Sequence, residues 1–519
     1  MFTDSHCHLT FPELSSQLGA IRQAMAQAQV DRALCICTTI EEFADVHALA
    51  TAHDNFWCSV GVHPDNEGVF EPTEQDLLAR AALPRVVAIG ETGLDYYGME
   101  DRKGGRSIAD LEWQRYFSDP QLQRLIDLAL KNNRDLRIAV LNIEQARAQF
   151  GVRRSDQWPT VNAGINGSRG PAASGEITSL YTAGLSVTAY ELDLFGRVAS
   201  LKDSAQAQLL GTEEARKTVQ MALVASVANT YLNLLADDEL LRIAQSALTT
   251  RQDSLKLTKL KFDNEAASRL DLSQAESLLE AANVALAQTT RQRAQDESSL
   301  ALLLGQAVPT SLPAGLPLTA QGLVTDLPAG VPSDVLVRRP DIRAAEQQLL
   351  ANNANIGAAR AAFFPRITLT GSVGVASSDL DKLFNGGGAT AWTFVPQLLL
   401  PIFDAGRNSA NLDSAKVQRD IAVTQYEKAI QTGFKEVADA LAGRTTLTEQ
   451  LRAQTAQLTA EQTRMQLVDL RFKHGASSSF DVLDAQRSLF VAQQAVVQVQ
   501  LQQVQNLVSL YKVLGGGWQ

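Results

Sequence analysis

The 519-residue chain has four cysteines, Cys7, Cys35, Cys37 and Cys58, and no thiol downstream of the last. A disulfide framework is therefore excluded over most of its length. Histidine is placed just as unevenly: none lies between His63 and His474. No unbroken apolar run reaches about 18 residues, so by that criterion a membrane role needs β-strands rather than a transmembrane helix. Thr212–Leu304 contains no Gly or Pro, and no Pro follows Pro401, which leaves long helices unobstructed. Hydrophobic residues make up 45% and charged residues 20%, which excludes a disordered chain.

What is present is a repeat. Residues 196–305 recur at 406–515 with a constant offset: Gly196-Arg197 matches Gly406-Arg407, Lys261-Phe262 matches Arg471-Phe472, and Leu304-Gly305 matches Leu514-Gly515. A weaker echo pairs Asp135-Leu136-Arg137 with Asp341-Ile342-Arg343. Two copies of one unit thus occupy about 119–519, and the front of the chain has no second copy. The front also differs in charge, since residues 1–107 hold 7 Lys/Arg against 16 Asp/Glu, most of the net −11. The reading divides the chain into 1–98, a junction at 99–107, repeat one at 108–304, a Pro-rich connector at 305–340, and repeat two at 341–519.

In the front segment, Asp4, His6 and His8 alternate along a short strand, so two imidazoles are able to grip one metal. Strand-like runs follow at Ala33–Thr39, Phe56–Val62 and Val86–Gly90, separated by helical stretches. This rhythm implies a parallel sheet. The later strands run into Gly61-Val-His-Pro64 and Gly90-Glu-Thr-Gly-Leu-Asp95. The set resembles the N-terminal half of the TatD-type metal-dependent deoxyribonucleases, which are (β/α)8 barrels. The resemblance implies His6, His8 and Glu91 as metal ligands that activate water for phosphodiester hydrolysis. Four strands are half a barrel, however, and the later His and Asp ligands have no counterpart here. The expectation is an inactive remnant, not an enzyme, with a divalent metal as cofactor only if the segment works. Cys35 and Cys37 are read as filler on one strand, not as a redox pair.

Behind the junction, Asp119-Pro120 opens a helix expected to run to about Asp156. Two alternating runs follow: Val161, Ala163 and Ile165, then Tyr181, Ala183, Leu185, Val187 and Ala189, all interleaved with small polar residues. Copy two repeats the pattern with Ile367, Leu369, Val373 and Val375, then Trp392–Ile402. Such alternation is the signature of membrane β-strands. Four strands cannot close a membrane barrel, so several chains must share one, and three chains would supply twelve strands. Gly196 to Phe262 then makes roughly 100 Å of helix, and Leu270–Leu304 returns after a polar reversal.

Five stretches carry a resemblance over 108–519: Tyr190-Glu-Leu-Asp-Leu-Phe-Gly-Arg197, Arg339-Pro-Asp-Ile342, Asn355-Ile-Gly-Ala-Ala-Arg-Ala-Ala-Phe-Phe-Pro365, Asp481-Val-Leu-Asp-Ala-Gln-Arg487 and Leu514-Gly-Gly-Gly-Trp518. These resemble the TolC-type outer membrane factors that serve resistance–nodulation–division pumps. The resemblance implies a mainly α fold with a membrane β-barrel: a homotrimer with a 12-stranded barrel in outer membrane lipid, continued by an α-helical barrel. It further implies a passive conduit for drugs or other small molecules, with a periplasmic adaptor and an inner-membrane pump as partners. Neither a cofactor nor nucleic acid is expected. The helix reversals become adaptor contacts (Phe262, Ala266, Ser268, Phe472, Gly475, Ser478), and Asp481, Asp484 and Arg487 the aperture. On spacing alone, Asp484 and Arg487 also fit an ordinary i,i+3 pair.

The chain as written begins without a signal peptide or lipidation site. The expectation is that it stays in the cytoplasm unless residues 1–107 are replaced by an export signal. Two other classes compete: a metal-dependent deoxyribonuclease carrying an assembly extension, and a soluble coiled-coil scaffold. The absent second-half ligands oppose the first, and the alternating strands oppose the second.

Overall fold

The computed structural model describes residues 2–63, 69–70, 72–90, 111–321 and 339–518. They form two compact units, Met1–Arg106 and Ser107–Gln519.

In the first unit the order is β1 (Phe2–Cys7), α1 (Pro12–Ser15), α2 (Leu18–Gln27), β2 (Val30–Cys35), α3 (Phe43–Ala52), β3 (Phe56–Val60), α4 (Glu74–Ala81) and β4 (Val86–Ile89). The strands pair in parallel in the order β1-β2-β3-β4. One face of the sheet packs on the helices: Ala33, Cys35, Phe56, Cys58 and Val60 meet Phe43, Val46 and Ala50, with Ile21, Met25 and Leu77 beside them. The second strand starts earlier than Ala33, because Val30 pairs with Phe2, and it stops at Cys35. Cys37 lies beyond it, where its amide donates to Ser59 Oγ at 3.0 Å. Cys35 and Cys37 therefore do not share a strand.

The second unit opens with α5 (Trp113–Tyr116), α6 (Pro120–Asn132) and α7 (Arg134–Ser155). The single helix expected from Asp119 to Asp156 is two helices. Asn133 leaves the helical conformation, accepts from the Leu136 amide at 2.9 Å to cap α7, and donates to Leu303 O. That break is where copy two begins its own helix, since α7 and α10 (Pro340–Ala361) are both 22 residues long. The strands are β5 (Val161–Pro171), β6 (Ile177–Leu192), β7 (Arg366–Ser377) and β8 (Ala389–Leu399), with α11 (Leu380–Phe384) before the last. The long helices are α8 (Arg197–Asp263) and α12 (Arg407–Lys473), 67 residues each, returning as α9 (Arg269–Leu304) and α13 (Ser479–Val513). At about 1.5 Å per residue each long helix spans roughly 100 Å. The connector is described only as far as Gln321 and again from Arg339.

The core of this unit is a girdle around the middle of α8. Leu122, Leu125 and Ile126 of α6 pack with Leu223, Val227 and Leu232 of α8, and with Val508 and Tyr511 of α13. Tyr116 and Tyr511 stack at 4.0 Å, which ties the start of the unit to its end. The buried Asp119 caps α6, and its Oδ2 accepts from Tyr231, Leu316 N and Gln321, each at 2.9 Å. This girdle also explains a stretch that the unbroken-run criterion passed over. By length and composition α8 contains a window apolar enough to cross a membrane, but half of that window is buried inside the unit.

Candidate functional site

The strands form one antiparallel sheet in the order β5-β6-β7-β8. Residues directly opposite one another share a face, so register decides what each face presents. Ala163, Leu185, Val373 and Trp392 stand in one row, and Val161, Val187, Gly371 and Phe394 in the next. The opposite face carries Asn162, Ser186, Ser372 and Thr393, then Gly164, Gly184, Gly374 and Ala391. One face suits hydrocarbon and the other suits water. The apolar face is open: Trp392 is 73% exposed and Phe394 60%. The alternation read from sequence fails at one residue. Ala189 adopts φ 53° in a bulge between Val187 and Tyr190, so Tyr190, not Ala189, continues the apolar face.

Where the sheet meets the helices, Glu191 accepts from Arg197 Nε and Nη2 at 2.7 and 2.6 Å and pairs with Arg366 Nε at 2.7 Å. Asp193 accepts from the Val198 and Ala199 amides and so starts α8. Phe195 and Phe364 stack at 4.8 Å across the two copies. The motif Tyr190–Arg197 is therefore the joint between strand and helix. Its charges were visible in the sequence, but their partner Arg366 was not.

At the far end the two reversals share one construction. Ser268 and Ser478 cap α9 and α13, each closing a capping box with Asp271 or Asp481 three residues on. These serine hydrogen bonds hold both carboxyls below the usual aspartate range. Asp481, expected at the aperture, is thus also a cap. The reversals contact each other: Lys261 Nζ lies 4.2 Å from the centroid of the Phe472 ring, and Ser479 Oγ donates to Asp271 Oδ1 at 3.3 Å. Ala266, Ser268, Gly475 and Ser478 are exposed, whereas Phe262 and Phe472 are half-buried.

One turn above, Asp484 makes the i,i+3 contact with Arg487 and also pairs with Arg464 of α12, both at 2.5 Å. Arg464 reaches Glu461 at 3.2 Å as well. The adjacent Arg464 guanidinium, with Arg487 behind it, holds the Asp484 carboxyl below its ordinary range. Sequence spacing gave Arg487 but not Arg464, which comes from the other helix. A second unread group lies higher. Asp237 of α8 is buried with Oδ2 lacking a partner, and Asp238 beside it binds Arg293 at 2.6 Å. Burial, then the neighbouring Asp296, push the Asp237 carboxyl up to about 7.

In the first unit His6 Nε2 and His8 Nε2 converge to 3.1 Å, close enough to share one ion. Glu91 lies outside the described residues. Among the described residues no group of three His, Cys, Asp or Glu side chains is arranged to hold a metal. Two imidazoles alone do not make a hydrolytic centre.

The family described as outer membrane efflux protein matches residues 125–306 and 331–516, one match per repeat. The chain belongs to that family. Its place is the outer membrane, as the channel of a tripartite efflux pump. It is 48% identical to the solvent efflux pump outer membrane protein SrpC of Pseudomonas putida, over 82% of this chain and 92% of that one. Against the outer membrane protein OprJ of Pseudomonas aeruginosa the identity is 42%, covering 81% and 89%. The crystal structure of the open state of the Neisseria gonorrhoeae MtrE outer membrane channel superposes with a TM-score of 0.74 at 42% identity, covering 83% and 94%. The family described as TatD related DNase matches residues 3–130. Its last stretch runs past the first unit into α5 and α6, whose side chains belong to the girdle of the channel.

Proposed function

We propose that this efflux channel works as a homotrimer in which three four-stranded sheets close one barrel and the long helices continue it as a duct. The observation that carries this reading is the sheet itself. It has an apolar face, a small-polar face and, among the described residues, two edges with no strand beside them, and an open edge is not tolerated in lipid. Solutes enter from an inner-membrane pump through a periplasmic adaptor that meets Phe262, Ala266, Ser268, Phe472, Gly475 and Ser478. Asp481, Asp484 and Arg487 form a charged ring at the aperture, with Arg464 holding Asp484 in place. The relatives named for solvents and toluene favour small apolar solutes and drugs as cargo. The front segment does not hydrolyse DNA, because among the described residues the His6–His8 pair is joined by no further ligand of the set that a water-activating metal requires.

The test is direct. Residues 107–519 behind an export signal should yield a detergent-stable trimer and restore solvent tolerance to a host deleted for its own channel. A water-soluble monomer would refute the shared barrel. Purified full-length protein with Mg²⁺ or Mn²⁺ should leave DNA intact, and cleavage lost in His6→Ala would overturn the inactive reading.

A further inference from the structure

Three cysteines stand side by side in the sheet of the first unit. Register pairs Cys7 of β1 with Cys35 of β2, and Cys35 with Cys58 of β3. All four cysteines of the chain are free thiols. Neighbours in sequence are not partners in space here. Cys37 Sγ donates to Thr39 O at 3.0 Å and Cys58 Sγ to Arg85 O at 3.7 Å, so both are turned toward backbone. Cys7 Sγ, by contrast, lies 4.0 Å from Cys35 Sγ. Cys7 is half-buried, whereas Cys35 is 1% exposed.

We propose that Cys7 and Cys35 are an oxidisable pair, which closes to a disulfide when the first unit meets a dissolved disulfide such as oxidised glutathione. Partners on neighbouring strands hold their Cα atoms about 4.8 Å apart, inside the roughly 4.4–6.8 Å that a bridge spans. The sulfurs must close by about 2 Å, which rotation about the Cα–Cβ bonds supplies. Cys7 is the last residue of β1 and follows a register shift after Asp4, so the bridge forms at a strand end and not within a regular ladder. Cys7 is also the sulfur that a dissolved reagent reaches. Its thiolate attacks one sulfur of oxidised glutathione, forms a mixed disulfide and releases one glutathione thiolate. The Cys35 thiol gives its proton to that thiolate, and its sulfur displaces the second glutathione from Cys7. This second thiolate takes up the proton that Cys7 lost to solvent. Two protein thiols become one bridge, and one glutathione disulfide becomes two thiols. The bridge ties β1, whose His6 and His8 flank Cys7, to β2 and closes a loop that carries α1 and α2. Such a loop restricts the unfolded chain and stabilises the folded unit. The place of the family, the outer membrane, lies outside the reducing cytoplasm. The state of this pair therefore distinguishes a first unit retained inside from one that has been exported.

The experiment uses the full chain, purified reduced in detergent and incubated with oxidised glutathione. Two of the four thiols, counted after denaturation, should disappear and return with dithiothreitol. Mass spectrometry of an unreduced tryptic digest should show Cys7 joined to Cys35, since cleavage after Arg22 and Arg32 otherwise separates them. Oxidation should slow protease cleavage within residues 2–90 about tenfold or more. Cys7→Ser, at a half-buried position, should keep all its remaining thiols through the same treatment. Survival of all four thiols in the unaltered chain would overturn the proposal. So would glutathione retained on Cys7, a bridge that maps to Cys37 or Cys58, or undiminished thiol loss in Cys7→Ser. The digest of the unaltered chain decides the matter without any variant having to fold. The channel reading stands or falls separately, on the trimer of 107–519.

Discussion

The long helices α8 and α12 have the same length, the same left-handed glycine before them and the same reversal after them, yet their surroundings differ. Nineteen residues of α8 are buried and five of α12. Around α8 the chain wraps α6, α7, α9, α10 and α13; α12 has mainly α10 and α13. Val224 of α8 is 2% exposed, while Phe434, its counterpart at the repeat offset, is 54% exposed, with Val417 and Ile421 also bare. Sequence duplication thus yields two helices of which one makes the core of its own chain and the other offers a face. The proposed trimer needs such a difference, because in it each bare α12 flank packs on a neighbouring copy.

The largest expected effect separates the two roles. Val224→Asp buries an unpaired charge in the girdle and should cost about 4 kcal/mol or more, leaving little folded protein. Phe434→Asp should leave the chain folded, with native helix content, and abolish the trimer in mild detergent. Equal loss of folding in both variants would erase the distinction.

Charge sharpens the comparison next. Copy one places Asp237 and Asp296 where copy two has Leu447 and Asn506, so only copy one should titrate near neutrality. The Asp237 carboxyl is raised to about 7 in the folded chain, above its ordinary value of 3.8. Its protonated form is therefore the favoured one. That contribution is complete at acid pH and is lost as pH rises through about 7. The melting temperature should fall between pH 5 and pH 8, and Asp237→Asn should flatten the slope.

A smaller effect belongs to copy two. Arg464, Asp484 and Arg487 stand where copy one has Ser254, Gln274 and Ser277. Replacing Arg464 by Ser removes a partly exposed brace of about 1 kcal/mol and should lengthen open events in single-channel recordings. Unchanged gating would count against the aperture assignment. Smallest of all is the reversal itself. Glu265 holds φ 60° where Gly475 holds 72°. Since side chains resist that region, Glu265→Gly should stabilise by roughly 0.5–1 kcal/mol. Chemical denaturation would read the gain.

Much of this architecture is written locally. The 210-residue repeat, the absence of breakers and the Ser-x-x-Asp caps at 268–271 and 478–481 determine two long helices and their turning points, because helix and cap propensities act within a few residues. Alternation over 161–187 and 367–375 likewise determines a two-faced sheet, since side chains alternate at period two. Other features depended on neighbours far away in sequence. The break at Asn133 is stabilised by Leu303, the Ala189 bulge by the register with β7, and the Glu191 clamp by Arg366 across the repeats. Which copy became core and which became surface was also decided only in three dimensions, because burial depends on what packs alongside. The pattern within 197–263 and 407–473 states that each is a helix; the girdle from α6 and α13 states which one is inside.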